Sequence, residues 1–131
     1  MSRSLIQTTN QTTQAVALNG IISLGSVLRR YGCNCRLSGN AIEVEGEGYY
    51  KIDGTVSVSP TAVGNVTVGV FENGAQIPSA IAYGYASTAD TPVTLPLTTT
   101  IRKTCGASSV TLVLIEGAGN VTNVSLRVDK G

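Results

Sequence analysis

Histidine and tryptophan are absent from this 131-residue chain, and phenylalanine and methionine occur once each. Without histidine, the chain has no Ser-His-Asp or Cys-His catalytic set, and it lacks the imidazole that would complete a zinc site. Charged residues make up only 13% of the sequence, against roughly 25% in ordinary soluble domains. We interpret the low charge as an indication that part of the surface is covered by another molecule.

Strong net charge is also lacking, since the formal value is +1. Arg29 and Arg30 are adjacent, but two charges do not make the basic face that nucleic acid requires. No run of about 18 apolar residues occurs, so no transmembrane helix is predicted. Residues 1–14, MSRSLIQTTNQTTQ, lack the apolar centre of a signal peptide. We therefore expect synthesis in a cytoplasm without the usual export.

The chain has three cysteines, and an odd number is not a disulfide framework. Cys33 and Cys35 would face the same side of a strand, because one residue separates them. Three reduced structural thiols are the favoured interpretation. The alternative is a disulfide that pairs either of them with Cys105. A lowered pKa for Cys105 beside Arg102 and Lys103 is a further alternative to a structural role.

Among the residues that are plentiful, valine, threonine and glycine form alternating patterns. Segment 48–60, GYYKIDGTVSVSP, alternates strictly, and a period of two predicts a strand with one buried face. The residues predicted to be buried are Tyr50, Ile52, Val56 and Val58. Gly54 falls on the same side, where the missing side chain lets a bulky neighbour approach. Pro60 cannot donate to a neighbouring strand and ends this one.

Further alternating segments predict about eight to ten short strands in total, with the spacing of a sandwich or barrel. Asn19-Gly20 divides residues 15–30 into a bent strand pair. Asn73-Gly74 lies between two apolar segments and is the strongest hairpin signal in the chain. The other predicted strands are 33–37, 41–47, 66–71, 76–86, 91–103, 110–117 and 120–129.

Prolines and apolar runs indicate where some of these strands lie in a sheet. Pro78 places the start of the strand 76–86 at an edge, and Pro92 and Pro96 require an edge or a bulge in the strand 91–103. Segment 110–117, VTLVLIEG, is apolar on both faces, which predicts burial on both sides.

The first 14 residues are polar and repetitive, with Leu5 and Ile6 as the apolar pair. We interpret residues 1–14 as an arm that is disordered or ordered by a partner, and residues 15–131 as the single domain. Leu5 and Ile6 would be the docking residues of this arm.

The order of these motifs resembles the all-β jelly roll of tumour necrosis factor and of the globular heads of complement and collagen-like proteins. Most similar are bacterial versions that cap collagen-like stalks on spores, and short phage and prophage proteins of Gram-positive bacteria. The segments that carry the resemblance, between residues 15 and 129, are 48–52, 66–70 with Asn73-Gly74, 112–114 and 124–126.

The resemblance implies an antiparallel β-sandwich that forms a homotrimer, with the sheet of the first, central and last strands facing the axis. Burial of a second sheet face at about 25 cal/mol per Å² would stabilise such a trimer strongly. The chain departs from the collagen-like members because it has no Gly-X-Y stalk.

Two groups of side chains are candidates for binding. Glu43, Glu45 and Glu47 share one strand face about 7 Å apart along it, and with Asp53 or Asp90 they could bind calcium. A solvated face that discourages aggregation is the favoured interpretation.

Tyr83 and Tyr85 share another face and could contact a sugar or a partner, although packing is the favoured interpretation. The four N-x-[ST] sequons, which we interpret as fortuitous in a chain without an export signal, begin at Asn10, Asn65, Asn120 and Asn123.

These features predict a non-enzymatic structural protein of a phage particle, without catalytic, cofactor-binding or metal-binding residues. It would be a trimer that decorates or stabilises the capsid, or is attached to the tail, and it would leave the cell by lysis. Its partners would be its own copies and a capsid or other virion protein, with no nucleic acid and no membrane.

The alternative is a receptor- or glycan-binding head of a phage fibre or of a protein on a bacterial cell or spore surface. That alternative predicts an outward site at the loop tips 60–65, 87–91 or 117–120.

Overall fold

A computed structural model describes residues 4–104 and 106–130, without the side chains of residues 78 and 79. This part of the chain contains strands and turns and no helix, so none of it has a helix suited to crossing a bilayer. The strands are β1 (Ser4–Asn10), β2 (Gln14–Val16), β3 (Gly20–Ile21), β4 (Ser26–Tyr31), β5 (Cys35–Ser38), β6 (Ala41–Glu45), β7 (Gly48–Pro60), β8 (Gly64–Glu72), β9 (Ala75–Ala86), β10 (Val93–Lys103), β11 (Ala107–Glu116) and β12 (Gly119–Lys130).

The strands form two antiparallel six-stranded sheets. Sheet A has the order β10-β7-β12-β1-β4, and β2 also pairs with β12. Sheet B has the order β5-β6-β11-β8-β9, and β3 also pairs with β11. The inner faces of the two sheets share one apolar core. The predicted all-β antiparallel sandwich with jelly-roll topology is thereby confirmed.

Strand β7 has the bounds and the faces that the alternation predicts. Its four predicted core residues are fully buried, and Pro60 is its last residue. A Cβ atom at Gly54 would lie 2.9 Å from Leu126 Cδ1 and 3.0 Å from the Ser125 carbonyl oxygen. The bulky neighbour that the glycine admits is therefore Leu126 on β12.

The Asn73-Gly74 turn forms the predicted hairpin between β8 and β9. Both residues have left-handed backbone conformations, with φ of 52° and 83°, as a two-residue hairpin turn of this type requires. Strands β9 and β10 lie at the edges of sheets B and A. The edge positions predicted from Pro78 and Pro96 are confirmed.

Two predictions about strands need correction. The break at Asn19 occurs, with φ of 62°, but β2 and β3 do not pair with each other because each joins a different sheet. In β11, residues on the inner face are fully buried, whereas on the outer face Val113 is nearly buried and Thr111 and Ile115 are only half-buried. The second face is therefore only partly covered within one chain.

The prediction of an N-terminal arm is wrong for the described part of residues 1–14. Residues 4–10 form β1, which lies between β12 and β4 within sheet A. Ile6 is fully buried in the core, and Ser4 and Thr8 are buried beside it. The polar residues of β1 suggest an exposed arm, but in the structure their side chains form hydrogen bonds inside the fold. The Thr8 hydroxyl donates to the Leu126 carbonyl oxygen at 3.4 Å.

We expect Ile6→Ala to lower the free energy of unfolding by about 2–5 kcal/mol, because it leaves a cavity in the core. The exposed Gln11 lies in the same N-terminal segment but outside the strand, and Gln11→Ala should change stability by less than about 0.5 kcal/mol. Denaturant unfolding measures both. Equal, small effects of the two substitutions would mean that the segment is a dispensable arm.

Candidate interaction surface

The outer face of sheet A has no covering layer in the fold. Every second residue of β7 points away from the core and onto this face. Outward residues of neighbouring strands lie directly opposite them and form rows across the sheet. One row joins Tyr31, Leu5, Asp129, Lys51 and Thr100. We refer to the outward residues of β1, β4, β7, β10 and β12 as the sheet A face.

One end of the sheet A face is aromatic. Tyr49 and Tyr31 are 60% and 50% exposed, and Leu5, directly opposite Tyr31 in the strand register, is half-buried. Arg102 lies over the Tyr49 ring, with its guanidinium carbon 5.9 Å from the ring centre. Such rings offer large contact area at low entropic cost, which is why tyrosine is enriched where proteins associate.

The middle of the sheet A face is polar, and its charges are partly neutralised within the chain. Arg127 Nη2 lies 3.3 Å from Asp129 Oδ2, and the Thr98 hydroxyl donates to Asp53 Oδ1 at 2.7 Å. Arg127, Thr98 and Asp53 line a depression of about 470 Å³. The face is therefore apolar at one end only, whereas the low overall charge suggests a more uniformly apolar surface.

One atom on this face lacks a partner. Asp129 Oδ1 is buried and accepts no hydrogen bond from the described residues. A buried acceptor without a donor costs roughly 1–3 kcal/mol. Asp129 also lines a second depression, of about 260 Å³, together with Tyr49, Lys51 and Thr100.

Tyr31 and β4 were not predicted from the sequence as part of this surface. Each of the six residues of β4 is exposed, because β4 extends sheet A beyond the edge of the core. The sequence does contain a sign that β4 is exposed. The apolar residues in SVLRRY follow no single period, which is unusual for a strand with one buried face.

The three glutamates do not assemble as a calcium site. Glu43 accepts a hydrogen bond from Arg36 Nε at 2.7 Å, and Glu45 and Glu47 are exposed. Asp53 lies on the other sheet and Asp90 in a loop. Among the residues that the structure describes, no group of three carboxylate or thiol side chains could hold a metal ion.

The loop tips 60–65, 87–91 and 117–120 meet at one end of the sandwich. The Thr61 amide donates to the Ala118 carbonyl oxygen at 3.3 Å, and the Asp90 amide donates to the Pro60 carbonyl oxygen at 2.8 Å. A depression of about 340 Å³ lies between Thr61, Ala118 and Ala17. Leu18 and Val63 are both exposed at this end.

Tyr83 and Tyr85 point outward from β9, on the outer face of sheet B. Of the two interpretations that the sequence left open, packing inside one chain does not apply, because both rings are exposed. They lie on the opposite side of the sandwich from the sheet A face.

Comparison of sequences finds no relative of this chain, whereas comparison of structures finds many chains with a similar fold. No protein-family profile and no curated protein matches the sequence. Solved structures match over nearly the whole chain. Murine APRIL at pH 5.0 has a TM-score of 0.76 at 12% identity, with 99% of this chain and 100% of that chain covered.

Two further structures extend the comparison. The globular domain of zebrafish complement 1qA gives a TM-score of 0.71 at 7% identity, with 94% of each chain covered. The vertex protein P5 of PRD1 gives 0.64 at 14% identity, with 97% of this chain and 96% of that chain covered. The fold is therefore the jelly roll of the tumour necrosis factor and complement globular-head class, as the resemblance implies.

The two described cysteines differ in environment. Cys33 is exposed in the bend before β5, whereas Cys35 begins the strand and is buried, so they do not share a strand face. Both are free thiols. Cys105 lies outside the described residues, and a pairing with it stays a prediction.

Burial raises the pKa of Cys35 to about 11, so its thiol stays protonated at pH 8 and reacts slowly as a nucleophile. We expect iodoacetamide at pH 8 to modify Cys33 in the folded protein and Cys35 only after unfolding. Peptide mass spectrometry with and without denaturant measures this difference. Equally fast labelling of both thiols in the folded state would contradict the buried position of Cys35.

Proposed function

We propose that this protein is a non-enzymatic structural protein of a bacteriophage particle. It acts as a homotrimeric jelly roll that decorates or stabilises the capsid, or is attached to the tail. The observation that carries the proposal is the sheet A face, an uncovered sheet surface with an aromatic end and a concave polar middle.

Association of three copies through the sheet A face accounts for these features together. The rings of Tyr31 and Tyr49 would leave water, which stabilises association by about 25 cal/mol per Å² of apolar surface. The internally paired charges of the middle would need little rearrangement, because Arg127 and Asp53 already have partners.

A virion location is supported by the likeness in fold to the PRD1 vertex protein P5. Attachment to the particle requires a surface other than the predicted arm, because Ile6 is inside the core. The end of the sandwich where the three loop tips meet offers such a surface, since Leu18 and Val63 are each 56% exposed there. The start of β1 and the end of β12 lie at the opposite end of sheet A, where Ser4 pairs with Lys130.

Light scattering of the purified protein should give three times the 13.5 kDa mass of one chain. The double substitution Tyr31→Ala/Tyr49→Ala should shift this mass to that of a single chain, because it removes both rings from the sheet A face. Tyr83→Ala, on the opposite face, is the matched control and should leave the trimer intact. A monomeric wild-type protein would refute the association.

Whether the chain is a component of the phage particle is tested by a separate measurement. Mass spectrometry of purified, nuclease-treated particles from the strain that carries the gene should detect the chain at a fixed ratio to the major capsid protein. We expect Leu18→Ser/Val63→Ser to remain trimeric and to be lost from particles. Absence of the wild-type chain from intact particles would refute the virion role and leave the trimer untouched.

A further inference from the structure

Two side-by-side tyrosines occupy the outer face of sheet B along its edge strand. Tyr83 and Tyr85 are 74% and 63% exposed, the highest values among the exposed large apolar side chains of the described residues. Residues two apart on a strand share a face, which sets these rings about 7 Å apart along β9. Within the described structure neither phenol hydroxyl has a hydrogen-bond partner. Both rings therefore keep an apolar face and a polar tip open to solvent.

The strand register brings polar groups to the same face. Tyr83 lies opposite Thr67 on β8, and Thr67 lies opposite Glu116 on β11. The Thr67 hydroxyl is buried and donates to Glu116 Oε1 at 3.2 Å, which holds one carboxylate oxygen in place. Tyr85 lies opposite Asn65, whose side-chain amide makes no hydrogen bond to the described residues.

We propose that this surface binds a neutral oligosaccharide. The apolar C–H face of a sugar ring packs against an aromatic side chain, and the two tyrosines offer stacking positions for successive sugars. The hydroxyl groups of a sugar both donate and accept. The Asn65 amide can do the same, while the outer oxygen of Glu116 accepts.

The charges select the class of saccharide. Strands β8, β9 and β11 contain no lysine or arginine, and the carboxylate that they place beside the tyrosines is that of Glu116. Glu72 belongs to the inward-facing set of β8 and lies 4.0 Å from Lys103 Nζ. An acidic or sulfated glycan would meet like charge without a cation to pair with, which costs binding energy. A neutral sugar meets no such penalty. The surface thus fits neutral glucose-type or N-acetylated sugars and disfavours sialylated or sulfated ones.

This site does not depend on the proposed virion role or on the trimer. It lies on the face of the sandwich opposite the sheet A face, so three copies joined through sheet A would present three such sites outward. Weak single sites become effective when several are displayed together. The loop tips 60–65, 87–91 and 117–120, where the alternative of a binding head predicts an outward site, are not part of it.

The test is saturation-transfer NMR on the intact protein with tetrasaccharides of glucose and of N-acetylglucosamine, and with a sialylated trisaccharide. We expect at least one neutral probe to bind and the sialylated probe not to bind. Tyr83→Ala and Tyr85→Ala should each weaken single-site affinity by about tenfold or more. Tyr85→Phe keeps the ring and should stay within about threefold of the wild type.

Tyr49→Ala, which removes an exposed tyrosine from the sheet A face, is the matched control and should bind sugar as the wild type does. Measuring single-site affinity in solution separates this outcome from any loss of trimer. The proposal is overturned if no neutral probe binds, if the sialylated probe binds better, or if Tyr83→Ala/Tyr85→Ala retains affinity. A changed oligomer mass in that double variant would also overturn it, since the tyrosines would then lie between copies.

Discussion

The first and last strands, β1 and β12, hydrogen-bond to each other within sheet A. β1 begins with Ser4 opposite Lys130, and β12 in turn pairs with β7 on its other side. This arrangement places Ile6, Val128 and Ile52 side by side on the inner face, where all three are fully buried. Without β1, β12 would lose its pairing along one side and β4 would have no strand to join. The integrity of sheet A, and with it any surface on its outer face, rests on this pairing.

Because the inner faces are filled by valine, isoleucine and leucine, the chain has only its outer faces and loop ends for contact with other molecules. Those surfaces differ in chemistry. The sheet A face combines aromatic side chains with charges that are already paired, which suits self-association. The outer face of sheet B has open tyrosines beside an amide and a carboxylate, which suits a small hydroxyl-rich ligand. One sandwich can thus separate assembly from recognition by placing them on opposite sides.

Elements with a local physical cause could be predicted from the sequence. Strand β7 follows from its alternation and from Pro60, and the β8–β9 hairpin follows from Asn73-Gly74. Strand β1 could not be found in this way, because its core side chains at Ser4 and Thr8 are polar and are satisfied by distant partners. The sheet A face was only partly predictable: Tyr49 follows from β7 alternation, but the position of Tyr31 depends on long-range pairing with β1.

The pairing of Ser4 with Lys130 also constrains the order in which the chain can fold. A ribosome releases β1 long before its partner β12 exists, so Ile6 stays unprotected until β12 has been synthesised. Contacts between such distant residues slow folding, because the entropy of closing the loop is lost before any contact forms. The polar segment QTTNQTTQ then has a second consequence. Before β12 is available, it keeps the unpaired β1 hydrated and makes it less prone to aggregation.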